Sequence, residues 1–124
     1  MNNDKTISLP GAGERTRVLV IEDNPADIAY VETLLSEAAP GVYDIESAET
    51  LARGLTALRE RLVDVVLLDL SLPDSLGFRT LASLKDQEPD IPVVVMTGFG
   101  DSSFATRALR EGAQGYLSKN ELNE

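Results

Sequence analysis

The sequence predicts an α/β fold, a doubly wound parallel sheet of five strands with helices on both faces, and three observations carry that prediction. Short runs of β-branched and aliphatic residues recur along the chain, as strands buried on both faces of a parallel sheet require. Segments with helical spacing separate them, and Pro, Gly and Asn mark the junctions. Four of the runs end on residues that can do chemistry: the pair Glu22 and Asp23, then Asp69, Thr97 and Lys119.

Residues Met1 to Arg15 are polar, contain Pro10, Gly11 and Gly13, and follow neither period, which predicts a flexible lead-in. Arg17 to Ile21 reads as the first strand, closing on Glu22 and Asp23. Asn24 fits a helix N-cap, Pro25 the first helical position, and Asp27 the electropositive first turn. The helix that follows is expected to reach about Ala38, with Ile28, Val31, Leu34, Leu35 and Ala38 on one face. Tyr43 to Ser47 makes a short second strand after Pro40 and Gly41, and Thr50 to Leu62 a second helix with Leu51, Leu55, Leu58 and Leu62 inward. Gly54 within it costs about 1 kcal/mol relative to Ala.

Val63 to Leu68 is the central strand, and Asp69 stands where its apolar run stops. Pro73 and Gly77 then turn the chain away, leaving the strand's C-terminal edge open. A third helix runs from about Gly77 to Asp86 with Phe78, Leu81, Ala82 and Leu84 on its apolar side. Val93 to Met96 is the fourth strand, ending on Thr97. The fourth helix, Ser102 to Glu111, points Phe104 and Ala108 inward and stops at Gly112. Gln114 to Leu117 gives the fifth strand, which runs into Ser118 and Lys119. A further helix would be expected to cover the sheet edge, and Asn120 to Glu124 are too short for it, so the domain, 16–124, is expected to be truncated after strand five.

At 124 residues the chain supports one domain with a core that needs no staples. It contains no Cys and no His, which removes thiolate chemistry and the commonest general base, and leaves carboxylates, hydroxyls and Lys. Any metal should then be a hard, oxygen-liking cation. Eleven Lys and Arg against 21 Asp and Glu give a net charge of −10, which argues against direct contact with nucleic acid or an anionic membrane. No apolar run approaches the roughly 20 residues that cross a bilayer, and the N-terminus lacks a signal-peptide pattern. These features predict a soluble cytoplasmic domain.

If the strands are ordered 2-1-3-4-5, as in flavodoxin-like folds, Glu22, Asp23, Asp69, Thr97 and Lys119 converge on one crevice at the topological switch point. Taken singly, each has an ordinary reading: acidic pairs cap helices and turns, and a lone Thr or Lys is usually solvated. Together, three carboxylates repel one another unless a proton or a cation intervenes. Mg²⁺ suits this donor set, and Lys119 and Thr97 would complete a site for phosphoryl transfer to Asp69.

From Arg17 to Lys119 the chain resembles the receiver domain of two-component response regulators. The likeness rests on Glu22-Asp23, on Asp69 within Leu-Leu-Asp-Leu-Ser-Leu-Pro-Asp with Gly77 beyond, on Met-Thr-Gly at 96 to 98, and on Gly-Ala-Gln-Gly-Tyr-Leu-Ser-Lys at 112 to 119. The resemblance implies Asp69 as phosphoacceptor, Asp23 as direct Mg²⁺ ligand, Glu22 acting mostly through water, and the Ser71 backbone carbonyl as a further ligand. It also implies Thr97 and Lys119 as the phosphate-sensing pair and Tyr116 as the switch aromatic. A histidine kinase or histidine phosphotransfer protein would supply the phosphoryl group. The chain departs from the family pattern with Glu22 where Asp is frequent, with Asn120 where Pro usually follows the lysine, and in the absent last helix, which predicts self-association through the face of helix 4 and strand 5. The receiver is thereby expected to be a switch rather than an enzyme. An aspartyl-nucleophile, Mg²⁺-dependent phosphohydrolase is the alternative, although Ser71 stands where such enzymes carry a second Asp. A phosphate-independent binding module keeps the fold without the chemistry. A flavin site would need donors where the loop after strand one is acidic.

Overall fold

The computed structural model describes residues 15–98 and 102–119, without the side chains of Thr97 and Ser102. Its first strand, β1 (Thr16–Ile21), pairs in parallel with β2 (Tyr43–Ala48) on one side and β3 (Val65–Asp69) on the other. Two further parallel strands, β6 (Val93–Thr97) and β7 (Gly115–Ser118), extend the sheet beyond β3. The order β2-β1-β3-β6-β7 is the expected 2-1-3-4-5 arrangement of the main strands, and it makes β1 and β3 neighbours. Two strands absent from the sequence reading, β4 (Ser71–Leu72) and β5 (Ser75–Leu76), form a small antiparallel hairpin directly after Asp69. Pro73 presets the turn, the Gly77 N–H donates to the Leu70 carbonyl at 2.7 Å, and Gly77 adopts φ 78°, a conformation cheap only for glycine.

Strand alternation divides the core in two. Leu19, Ile21, Val66, Leu68, Val93 and Val95 face one way, against α2 (Leu51–Glu60), α3 (Phe78–Gln87) and α4 (Ser102–Arg110). Val18, Val20, Leu67 and Met96 face the other way, against α1 (Pro25–Ala38), which contributes Val31, Ile28 and Leu35. Val94 and Leu117 extend this second cluster along β6 and β7 as half-buried residues.

The helix ends follow their local chemistry. Asn24 caps α1, its Oδ1 accepting from Ala26 N–H at 2.9 Å and Asp27 N–H at 3.3 Å. Thr50 caps α2 from outside the helix rather than beginning it, accepting from Arg53 N–H. At the end of α4, Ala113 N–H donates to Ala108 and Gly112 N–H to Leu109, a Schellman arrangement with Gly112 at φ 113°. The inward faces are narrower than the periodicity suggested. Ala38 and Ala82 are exposed, the former at the last residue of α1, and α2 ends at Glu60, leaving Leu62 half-buried beyond it. The expected lead-in before Arg15 and the segment after Lys119 lie outside the described residues, and no helix among the described residues is long and apolar enough to cross a membrane.

Candidate functional site

The C-terminal ends of β1 and β3 lie side by side, so the residues that leave them share one edge of the sheet. Glu22 and Asp69 are buried there, 1% and 2% exposed, while Asp23 is exposed. One carboxylate oxygen from each of the three lies within 4.8 Å of the others. The surrounding cleft, about 310 Å³, is lined by these three with Ser71, Gly98 and Lys119. A larger groove of about 440 Å³ opens elsewhere, along Arg17, Asp44, Glu46 and Arg61. Its charges pair locally, Arg61 with Glu46 at 2.8 Å and Arg17 with Asp64 at 3.7 Å, and it gathers no comparable set of acids.

Backbone and lysine donors fix the carboxylates. Asp69 Oδ1 accepts from Ser71 N–H at 3.1 Å, and Oδ2 accepts from Lys119 Nζ at 3.2 Å. Glu22 Oε2 accepts from Asn24 N–H at 3.1 Å. Its other oxygen, Oε1, lies 2.7 Å from Lys119 Nζ as an ion pair but has no aligned hydrogen bond. Lys119 also donates to Asp27 Oδ2 at 3.0 Å, so its ammonium sits among three carboxylates. Burial acts to lower the lysine's pKa, but Glu22, Asp27 and Asp69 outweigh it and hold the group above its ordinary value. Burial pushes the Glu22 carboxyl up to about 7; Lys119 opposes the rise and Asp69 adds to it.

Of the sequence-derived residues, Glu22, Asp23, Asp69, Ser71 and Lys119 line one cleft. Lys119 reaches Asp69 from the end of β7 although Asn120, outside the described residues, replaces the usual Pro. Thr97 ends β6 one residue beyond Met96, the register partner of Asp69; its side chain is outside the description. Tyr116 is half-buried, its ring 5.7 Å from that of Phe104, which stacks at 4.8 Å on Phe78. Sequence reasoning treated Asp27 only as a complement to the helix dipole and missed its place on Lys119. The available signal was its position in the first turn of the helix that leaves the acidic strand end.

The donor set fits a hard divalent cation. All three acids offer oxygen, and Glu22 Oε1 is a buried oxygen without an aligned donor.

A doubly wound parallel sheet with an acidic cluster and a lysine at its switch point defines a class of α/β proteins that act at the carboxyl edge of the sheet. The family model for the response regulator receiver domain matches residues 18–124, and the chain belongs to that family. Among its relatives are the KDP operon transcriptional regulatory protein KdpE of Escherichia coli, 38% identical over 104 residues, and the luminescence regulatory protein LuxO of Vibrio campbellii, 34% identical over 100 residues. These matches cover 84% and 81% of this chain but only 44% and 21% of the relatives. The solved structure of the beryllofluoride-activated NtrC4 receiver domain dimer is 31% identical, with a TM-score of 0.70 and 83% of each chain covered. The Francisella response regulator 1452 receiver domain, at 23% identity and TM-score 0.74, covers 86% of this chain and 85% of its own and shares the fold.

Proposed function

We propose that this chain is a phosphorylation-activated receiver in a two-component relay, with Asp69 as the phosphoacceptor. The observation that carries this reading is the convergence of Glu22, Asp23 and Asp69 within 4.8 Å, with Lys119 Nζ 3.2 Å from Asp69 Oδ2. In the reaction, a carboxylate oxygen of Asp69 attacks phosphorus while the donor's bond to phosphorus breaks and the leaving group keeps the electron pair. The product is an acyl phosphate on Asp69. Ser71 N–H on Oδ1 and Lys119 on Oδ2 hold the nucleophile against rotation. Lys119 then supplies a fixed positive charge to the transferred group, and the Thr97 hydroxyl a donor.

Glu22, Asp23 and Asp69, with the Ser71 carbonyl, would hold Mg²⁺, which when bound neutralises charge on the phosphoryl oxygens. The donor is a histidine kinase or a histidine phosphotransfer protein. Phosphorylation would bias Thr97 and Tyr116, and through Phe104 the face of α4 and β7, changing its affinity for partners, including a second copy of the chain. The same chemistry makes the domain a switch that assists only its own phosphorylation and dephosphorylation.

The test is intact mass after incubation with a small acyl phosphate, with and without Mg²⁺, alongside Asp69→Asn. A Mg²⁺-dependent adduct of one phosphoryl group, absent from the variant, is expected. An adduct that survives Asp69→Asn, or none in the unmodified chain, overturns the assignment.

A further inference from the structure

Lys119 directly follows β7, one of the two edge strands of the sheet, and its long side chain must reach past β6 to meet Asp69 at the end of β3. A lysine in that position carries rotamer freedom that has to be frozen before its ammonium can serve one oxygen. Two of its donors are aligned, one on Asp69 Oδ2 and one on Asp27 Oδ2, 92 positions away in sequence. The Glu22 contact is close but lacks that alignment. Asp27 is itself held rigidly. It sits in the first turn of α1, where Pro25 fixes the start of the helix and the Asn24 side chain accepts from the Asp27 N–H.

Resting on the receiver reading above, we infer that Asp27 is a positioning residue that anchors Lys119 over Asp69, so that the lysine meets the transferring phosphoryl group already in place. Asp27 is not among the three acids whose oxygens converge; it acts through the ammonium that it shares with Asp69. When a phosphoryl group is added to Asp69, the N–H on Oδ2 turns to a phosphoryl oxygen while the N–H on Asp27 stays where it is. The anchor therefore supports both the attack and the product. It binds α1 to the edge of the sheet through one charge-assisted hydrogen bond.

The experiment compares Asp27→Ala and Asp27→Asn, each alone and in a Lys119→Met background, following phosphorylation by intact mass across concentrations of acyl phosphate and Mg²⁺. Asp27→Ala should lower the maximal rate about tenfold, the scale of one lost charge-assisted hydrogen bond, with the apparent Mg²⁺ affinity unchanged. Asp27→Asn, which keeps an oxygen acceptor, should recover most of the rate. In the Lys119→Met background neither substitution should matter. An unchanged rate in Asp27→Ala, or the same loss with Met at 119, overturns the inference. Should the unmodified chain accept no phosphoryl group, the receiver reading fails, and the anchor is judged by the Lys119 side-chain ammonium signal in NMR. That signal should be visible in the unmodified chain and Asp27→Asn and lost in Asp27→Ala; identical spectra in all three reject it.

Discussion

Ile21 occupies the space that a side chain at Gly54 would need: a Cβ at position 54 would collide with Cδ1 and Cγ1 of Ile21. The glycine in α2 lets the helix approach β1 at the residue immediately before Glu22. Ala offers about 1 kcal/mol over Gly in a helix, but overpacking a core costs about 1–3 kcal/mol. Gly54→Ala should therefore destabilise the fold by about 1 kcal/mol net in equilibrium denaturation. Ile21→Val in the same chain should return part of the loss, a non-additivity of contacting residues. A stabilised Gly54→Ala variant would show that α2 can shift freely on the sheet.

Asp74, in the turn between β4 and β5, caps α2 from a distance: its Oδ1 accepts from Leu51 N–H at 2.9 Å and its Oδ2 from Ala52 N–H at 3.0 Å. Slight burial acts to raise the Asp74 carboxyl, but these backbone donors prevail and hold it below the ordinary aspartate value. The folded value lies below the unfolded one, so the stabilisation is complete above about pH 4, the unfolded aspartate value, and fades as pH falls through the folded value. Asp74→Ala should cost about 1 kcal/mol near neutral pH, as for a lost helix cap, and the gap from the unmodified chain should close in acid. A gap that persists unchanged to pH 2 would assign the loss to packing instead.

The parallel sheet was legible because β1, β3 and β6 are apolar on both faces and run into polar residues, a pattern that both builds such a sheet and marks its working edge, whereas the strand order came from the likeness to flavodoxin-like folds. The acidic cluster was legible for the same reason, since Asp69 ends β3 and Glu22 directly follows β1. What escaped was three-dimensional reach. Asp27 looked like a helix-dipole residue because its partner is 92 positions away, and Gly54 looked like a defect because the close approach of Ile21 has no local signature. The β4–β5 hairpin was missed because two-residue strands lack a measurable period, leaving only Pro73 and Gly77 as turn signals.

The rings of Phe78, Phe104 and Tyr116 form a tilted row that joins α3, α4 and β7, with the Arg107 guanidinium 4.5 Å above the Phe78 ring centre. Aromatic pairs of this kind add about 0.5–1.5 kcal/mol beyond the area they bury. Phe78→Leu and Phe104→Leu should therefore be non-additive, with a coupling of about 1 kcal/mol in a double-mutant cycle. Strict additivity would mean that the two rings contribute only apolar area.

Mg²⁺ should stabilise the folded chain, because the three carboxylate oxygens converge only when β1 and β3 are paired. Binding to the folded state alone adds RT ln(1 + [Mg²⁺]/Kd), about 2.7 kcal/mol at 100 times Kd, and makes the melting temperature climb with Mg²⁺ concentration. Matched ionic strength from NaCl should not reproduce the rise, since screening acts on surface charge and leaves the buried Glu22 and Asp69 largely untouched. Asp69→Asn should blunt the response and Asp23→Asn should nearly remove it, since Asp23 is the carboxylate not committed to Lys119. A chelator should return the unmodified chain to its metal-free melting temperature. If Mg²⁺ shifts Asp23→Asn as far as the unmodified chain, the cation binds elsewhere, and Lys119 alone balances the buried acids.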